Sequence, residues 1–451
     1  MEEDIYTHRS EIKVPKSAVK VEERLKEAIE AAEDRQAYES AHDEQLLHAL
    51  GIVANFIKRK RRVCYGGTAM NAILPKSKQF YDPQHDLPDY DFYTPQLKED
   101  VQDLVDDLKA AGFKDVYHRI GIHEGTEKIL VNFVAVADIT HIESDIFSIL
   151  YRRSVKKDGI HYTDPDILRM MMYLELSRPR GQVDRWEKVY ERLQLINRQF
   201  PIRAAGAGGV KASVRSIPYR VRKFLIEYCI AHQRIVCTGP IASLYAKGIR
   251  QGNMKYQVRE GGPVLFVSPD PKLDALALKR GLEREESADL RLYLHKERGE
   301  IVPERVEIRL NGQPICMIVK DTACHSYNNF PMKDGRILLV GSLEFLVTLY
   351  LSLQIFTKAA EDILGSNAMS QVREFIRLAD ENAAAKRSQF PPFALGCKGH
   401  QTGYMTLMRR KVERIQKAKG ALAGATKKVR RGATAAMSLR GATKKRERGR
   451  D

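Results

Sequence analysis

Three aspartates carry the chemistry that this sequence advertises. Asp89 and Asp91 stand two apart in the run Asp89-Tyr90-Asp91-Phe92-Tyr93, and Asp138 interrupts the apolar stretch Val134-Ala135-Val136-Ala137 before Ile139. On a β-strand, residues i and i+2 point to one face, so Asp89 and Asp91 are expected to converge. A lone carboxylate in an apolar strand is costly unless a cation answers it, which makes Asp138 the expected third member. Three carboxylates suit two metal ions about 3.5–4 Å apart, one activating an attacking hydroxyl and one steadying a polyphosphate and its leaving group. An all-oxygen donor set selects Mg²⁺ or Mn²⁺ over zinc. Upstream lies Gly66-Gly67-Thr68. Adjacent glycines let a backbone approach phosphates closely, and a helix opened by Thr68 would aim free N–H groups at phosphate oxygens. Taken singly, a glycine pair or an Asp-x-Asp is common. Their order, followed by a third Asp on a later apolar strand, is what points to phosphoryl transfer. No G-x-x-x-x-G-K-[ST] motif is present, which argues against an ordinary P-loop ATPase.

Other residues divide between chemistry and structure. Arg178, in Ser177-Arg178-Pro179-Arg180, reads equally as a phosphate contact or a solvated helix end. Arg152, Arg153, Lys156 and Lys157 follow the Asp138 strand and suit either a phosphate path or a turn. Trp186 lies at helical spacing with Val189 and Leu193, which reads as packing. His123 and Glu124 read as a hairpin turn, and His141 is given no role.

The elements that must position these groups follow from pattern. A charged helix is expected near Val21–Arg35, residues 46–66 read as a helix feeding a short strand, and residues 128–141 read as one buried strand. Two amphipathic helices are expected within 165–200, parted by residues 177–181. Ala204–Gly209 reads as a linker. Cys64-Tyr-Gly-Gly-Thr-Ala-Met-Asn is echoed by Cys237-Thr-Gly-Pro-Ile-Ala-Ser-Leu, and Phe92-Tyr-Thr-Pro by Phe266-Val-Ser-Pro, at offsets of 173 and 174. Such a duplication sets Asp89 against Pro263 and Asp91 against Leu265, and a match of PICMIVKDTA to NFVAVADIT sets Asp321 against Asp138.

The chain has 451 residues and a net charge of +17. From Lys398 onward there are 17 Lys/Arg and 3 Asp/Glu, so most of the excess lies in a tail that repeats Gly-Ala-Thr. Clustered cations of this kind suit an RNA backbone, while the composition lacks core-forming residues. The six cysteines form no C-x-x-C pair and read as reduced thiols of an intracellular protein rather than as a zinc site. No apolar run is long enough to span a membrane.

The stretches CYGGTAMNAILP, FYDPQHDLPDYDFYTP, IHEGTEKILVNFVAVADIT, HYTDPDILRMMMYLELSRPRGQVDRWEKVYERLQLIN, NNFPMKDGRILLVGSLEFL and CKGHQTGYMTLMRRKVERI resemble the DNA polymerase beta-like nucleotidyltransferase superfamily. More narrowly, they resemble the poly(A) polymerase catalytic subunit of nucleocytoplasmic large DNA viruses. The resemblance implies an α/β (α+β) nucleotidyltransferase fold followed by a second, degenerate nucleotidyltransferase-like domain and C-terminal helices. It implies ATP as donor, the 3′-OH of RNA as acceptor, and Mg²⁺ or Mn²⁺ held by Asp89, Asp91 and Asp138. Gly66, Gly67 and Thr68 would face the triphosphate, with Arg178 a further candidate. The 22 positions from Gly67 to Asp89 exceed the superfamily's usual spacing, with Pro75–Leu87 as an insert. The resemblance further implies the virion and host cytoplasm as setting, and either a separate processivity subunit or a homodimer, of which the self-paired form is favoured. The expected domains are a lead-in at 1–45, a catalytic domain at 46–203, a degenerate domain at 204–360, helices at 361–418 and a basic tail at 419–451. An RNA nucleotidyltransferase of other specificity and a non-catalytic RNA-binding subunit are the alternatives.

Overall fold

The computed structural model describes residues 16–203, 215–285, 289–299, 301–357 and 360–419. The linker expected at 204–209 and the Gly-Ala-Thr repeats lie outside the described residues.

The chain opens with α1 (Lys16–Ala41), longer than the charged pattern suggested, and α2 (Glu44–Lys60). Asp43 caps α2 by accepting the Leu46 amide at 2.8 Å, and Ala49, Leu50, Val53, Phe56 and Ile57 form its buried stripe. The basic end of this helix is structural. Arg59 pairs with Asp107 at 2.6 Å, and buried Arg62 with buried Asp100 at 2.6 Å. Then come β1 (Val63–Tyr65), α3 (Gly66–Ile73), β2 (Tyr90–Thr94), α4 (Leu97–Ala110), β3 (Val116–Ile120), β4 (Thr126–Val131), β5 (Val134–His141), α5 (Ser144–Arg153), β6 (Val155–Lys157), β7 (Ile160–Tyr162), α6 (Pro165–Leu176) and α7 (Trp186–Gln199). The two helices expected in 165–200 are α6 and α7.

Residues 128–141 correct the one-strand reading. They belong to a hairpin, β4 and β5, turning at Asn132 (φ 48°) and Phe133 (φ 68°). Two consecutive left-handed residues are what a two-residue hairpin turn with the right twist demands. No glycine marks it, so the apolar run hid the reversal.

The second half repeats this plan with α8 (Tyr219–Ala231), β8 (Ile235–Val236), α9 (Ile241–Gln251), β9 (Val264–Ser268), α10 (Pro271–Glu285), β10 (Leu290–His295), β11 (Arg305–Leu310), β12 (Gln313–Lys320), β13 (His325–Pro331), β14 (Ile337–Gly341) and α11 (Leu343–Phe356). After it come α12 (Ala360–Leu364), α13 (Ala368–Ala384), β15 (Cys397–Lys398) and a helix over 404–419. The first sheet runs β3-β4-β5-β2-β1-β7-β6 and the second β10-β11-β12-β9-β8-β14-β13-β15. Strand for strand, parallel and antiparallel pairings agree. The duplication is therefore one of topology.

The ladders also fix its register. Cys64 faces Phe92 and Val236 faces Phe266, while Asp91 faces Asp138 and Leu265 faces Met317. Aligning Phe92 with Phe266 thus sets Leu265 at Asp91 and Met317 at Asp138. The match of Asp321 to Asp138 is overturned, because Asp321 lies beyond the end of β12. The Cys64–Cys237 match is one residue out of register.

The halves join through α6 and α11, each capped alike: Asp164 accepts the Ile167 amide and Ser342 the Phe345 amide. Thr348 on α11 donates to the Met170 carbonyl at 3.1 Å. The basic helix over 404–419 returns to the first half, where Arg414 donates to the Ile122 carbonyl at 3.0 Å. Among the described residues no helix is long and apolar enough to cross a membrane.

Two predictions arise here. Glu344 on α11 is buried, and burial pushes its carboxyl from an ordinary value near 4.5 up to about 7, against the pull of its backbone and Ser342 hydrogen bonds. The folded chain then keeps a proton that the unfolded chain releases, so stability falls as pH rises from about 4.5 to about 7. Glu344→Gln removes that fall. The variant melts higher than wild type at pH 8, by up to about 3 kcal/mol, and matches it at pH 4. Equal pH slopes for the two proteins would contradict this.

The second concerns the cysteines, where the all-reduced reading is corrected. Ser326 pairs with Cys397 across β13 and β15, which brings Cys324 and Cys397 together at a Cα–Cα distance of 5.2 Å in a disulfide. The partners are 73 residues apart, so no local spacing revealed them. Cys64, Cys229, Cys237 and Cys316 are free and buried. Maleimide labelling of denatured, unreduced protein should modify these four thiols, and all six after reduction. Six labels before reduction would refute the pairing.

Candidate active site

The site is built where β1 ends and α3 begins. Tyr65 is extended, and Gly66 turns the chain with φ +74°. A Cβ on Gly66 would stand 2.5 Å from Asp91 Oδ2, so only glycine lets the turn lie against that carboxylate. The helix starts at Gly66 and not at Thr68, and no side chain caps it, which leaves its first N–H groups available. A Cβ on Gly67 would meet the Tyr81 hydroxyl at 2.3 Å and Arg192 Nη1 at 2.9 Å. Thr68 is buried, and its Oγ1 accepts the Asp89 amide at 3.1 Å. The structure thus gives that hydroxyl a positioning contact that fixes the approach to β2.

Asp91 on β2 lies beside Asp138 on β5 in parallel register. Asp89 departs from the expected strand. It lies just ahead of β2, and its carbonyl accepts the Asp91 amide at 3.1 Å. Its carboxyl nevertheless belongs to the same electrostatic group: burial and Asp138 raise it, and Lys128 lowers it. Asp91 feels more. Burial, then Asp89 and Asp138, push its carboxyl up to about 8 against the opposing pull of Lys128 and Arg185.

Lys128 is the residue that the sequence reading missed. Across the hairpin it faces Asp138, and its Nζ lies 2.6 Å from Asp138 Oδ1, an ion pair outside hydrogen-bond geometry. Had the hairpin been seen, the register would have named it. Arg185 and Arg192 were also passed over. Arg185 acts on Asp91 and stands 3.4 Å from Glu175. Arg192 on α7 lies over the Phe80 ring at 4.5 Å and 3.4 Å from the Tyr81 hydroxyl. Phe80 and Tyr81 come from the 75–87 insert, which Asn71 folds back by accepting both their amides. The insert therefore lies over Gly67.

Arg178 follows α6; its charge acts on His325 and on Glu175, which Arg185 also reaches, while Lys128 and Arg185 act on Asp91. Arg153 and Lys157 are structural, pairing with Asp164 at 2.7 Å and donating to the Ala72 carbonyl at 2.6 Å. Trp186 packs on the core, near Phe393. His123 and Glu124 sit in the β3–β4 turn.

Among the described residues, no three His, Cys, Asp or Glu side chains are grouped so as to hold a metal ion as they stand. The chemistry of the cluster still fits a hard divalent cation. All the donors are oxygens, Asp138 Oδ1 is buried and accepts no hydrogen bond, and Asp89 and Asp138 add to the burial that raises the Asp91 carboxyl.

Residues 51–182, which hold the three aspartates and the glycine pair, match the family described as poly(A) polymerase catalytic subunit. An Acanthamoeba polyphaga mimivirus protein carrying that name is 34% identical over 158 residues, covering 34% of this chain and 26% of the relative. A namesake from an African swine fever virus isolate is 32% identical over 160 residues, covering 34% and 33%. The chain thus spans about a quarter to a third of the length of these relatives. The fold extends much further. The crystal structure of the Megavirus polyadenylate synthase superposes with a TM-score of 0.71 at 18% identity, over 93% of this chain and 86% of that one. Over residues 51–182, the chain is similar to the poly(A) polymerase catalytic subunit family.

Proposed function

We propose that the chain is a template-independent poly(A) polymerase that transfers AMP from ATP to the 3′-OH of RNA and releases pyrophosphate, serving viral mRNA. The observation that carries this reading is the ladder setting Asp91 beside Asp138, with Gly66 turning against the Asp91 carboxylate, inside the family segment. Asp89, Asp91 and Asp138 would hold Mg²⁺ or Mn²⁺, which supplies Lewis acidity for the attacking hydroxyl and the leaving pyrophosphate. The chain's own residues do the rest. The uncapped N–H groups of α3 offer donors to phosphate oxygens. Gly66 and Gly67 would face the triphosphate through their backbone, between the Asp91 carboxylate and the Tyr81–Arg192 cover. Arg192, Arg185 and Lys128 surround that approach with positive charge, as a polyanion requires.

The proposed domains are a catalytic unit at 46–203, a degenerate unit at 204–360, helices at 361–418 and a basic tail that adds RNA affinity. A further polypeptide on the RNA, either a processivity subunit or a second copy, belongs to the same proposal. The test is extension of a labelled RNA primer with each of the four nucleoside triphosphates. Long ladders with ATP alone support the reading, and equal ladders with all four would make the chain a terminal transferase of broad specificity. Truncation after residue 418 should flatten the salt dependence of RNA binding. An unchanged salt slope would deny the tail that role.

A further inference from the structure

The second sheet has a cleft of its own in the place where the first has its acids. It is a cavity of about 840 Å³ at the turn Thr238-Gly239-Pro240 that leads into α9, closed on another side by Pro263 just before β9. These segments correspond to the Gly66-Gly67-Thr68 turn and to Asp89. By the ladder register, Pro263, Leu265 and Met317 stand where the first half has Asp89, Asp91 and Asp138. The metal-holding chemistry has gone, but the cleft has not filled in.

Its charge has changed sign. Arg222, Lys247, Lys255, Arg259 and Lys333 line it against the single carboxylate of Glu260. Among the described residues, none of these five cations takes part in an ion pair. Arg222 is the most telling. It is only 2% exposed, yet its Nε and Nη1 donate to the carbonyls of Arg259 at 3.0 Å and Gly262 at 2.6 Å, not to a carboxylate. Its Nη2 lies 2.9 Å from where a Cβ on Gly239 would be, and Gly239 has φ +119°. A buried guanidinium without an anion is costly, and a bound phosphate would offset that cost. α9 begins after Pro240 with no side-chain cap, which leaves N–H donors at the same mouth. Leu244, Ile363 and Leu364 supply apolar lining.

We propose that this cleft binds the polyphosphate of a nucleoside triphosphate without a metal ion, as a second, non-catalytic nucleotide site. Fixed cations stand where the first cleft would hold divalent ions, and none of the three carboxylates that would hold them has a counterpart here, so the ligand is held and not consumed. The volume falls in the range of about 300–1,000 Å³ typical of small-ligand sites, which favours a nucleotide over a strand. The proposal rests on the fold and the lining charges, and it does not depend on the polymerase reading.

The test is calorimetric titration of full-length protein in EDTA with ATP, with inorganic tripolyphosphate as competitor. Saturable metal-free binding is expected, unchanged in Asp89→Asn/Asp91→Asn. It should weaken by about ten-fold or more in Lys255→Ala/Arg259→Ala, since charge-assisted contacts to phosphate are lost. Lys247→Ala gives a second, independent variant, and all three side chains are exposed, so melting curves should match wild type. Absence of binding in EDTA overturns the proposal. So does full ATP affinity in both folded variants, or loss of binding in the aspartate variant. If oligo(A) binds in EDTA and responds to these variants while ATP does not bind, the cleft is an RNA groove and the nucleotide assignment fails.

Discussion

Asp91→Ala should lower the rate of nucleotide addition by about 10³-fold or more, the scale on which removal of a group stabilising transition-state charge is felt. Asp91 is the most confined of the three acids: it touches the Gly66 turn, neighbours Asp138 on the next strand, and feels Asp89 from the mouth. Its cost to the resting protein follows from the same confinement. Burial, then Asp89 and Asp138, hold its carboxyl near 8 instead of near 3.8. In the metal-free protein the folded state keeps a proton that the unfolded chain has released, so this residue lowers stability progressively as pH rises from about 4 to about 8. Asp91→Asn should therefore be both inactive and more stable than wild type without metal, by up to about 4 kcal/mol at neutral pH. Thermal melts in EDTA together with primer extension check both halves. An inactive variant that also melts lower would show a packing defect instead of a lost functional charge.

Gly66→Ala is expected to be the next most damaging change. A Cβ there would lie 2.5 Å from Asp91 Oδ2, and the φ of +74° is one that alanine adopts only with strain. The carboxylate must move, and displacement of a reacting group by about 1 Å costs roughly 10²-fold in rate. Stability should fall by about 1–2 kcal/mol from the backbone strain alone. Gly67→Ala is the informative contrast. Its Cβ would meet the tips of Tyr81 and Arg192, flexible side chains that can swing aside. It should lose far less activity, with the loss in nucleotide affinity. Comparing KM and kcat for ATP in the two variants settles the point. A kcat loss in Gly67→Ala equal to that in Gly66→Ala would mean that the insert carrying Tyr81 helps to position the reacting groups.

Much of the site was legible because its parts are local. Asp-x-Asp among aromatics, an acid in an apolar strand and a glycine pair before a helix each reflect a rule of two or three neighbouring residues. The helix pair α6 and α7 showed itself through periodicity and the Pro179 break. What failed depended on the return of the chain. The β4–β5 hairpin turns at Asn132-Phe133 without glycine, so it passed as one strand, and with it went the pairing of Lys128 with Asp138. The bond from the Asp89 amide to Thr68 Oγ1 appears only once the 75–87 insert has folded back, so no local pattern announced it. Asp321 matched Asp138 by eye, but ladder register, which admits no slip without exchanging faces, puts Met317 there. The Cys324–Cys397 bond joins strands whose adjacency nothing local records.

The account depends on Asp89, Asp91 and Asp138 acting as one cation-binding group, and counting bound Mn²⁺ tests that most directly. Titration of the protein with Mn²⁺ in the presence of a non-hydrolysable ATP analogue, followed by electron paramagnetic resonance, should give about two tightly bound ions in wild type. It should give none of comparable affinity in Asp89→Asn/Asp91→Asn, and a marked loss in Asp138→Asn. Undiminished Mn²⁺ binding in these variants would contradict it.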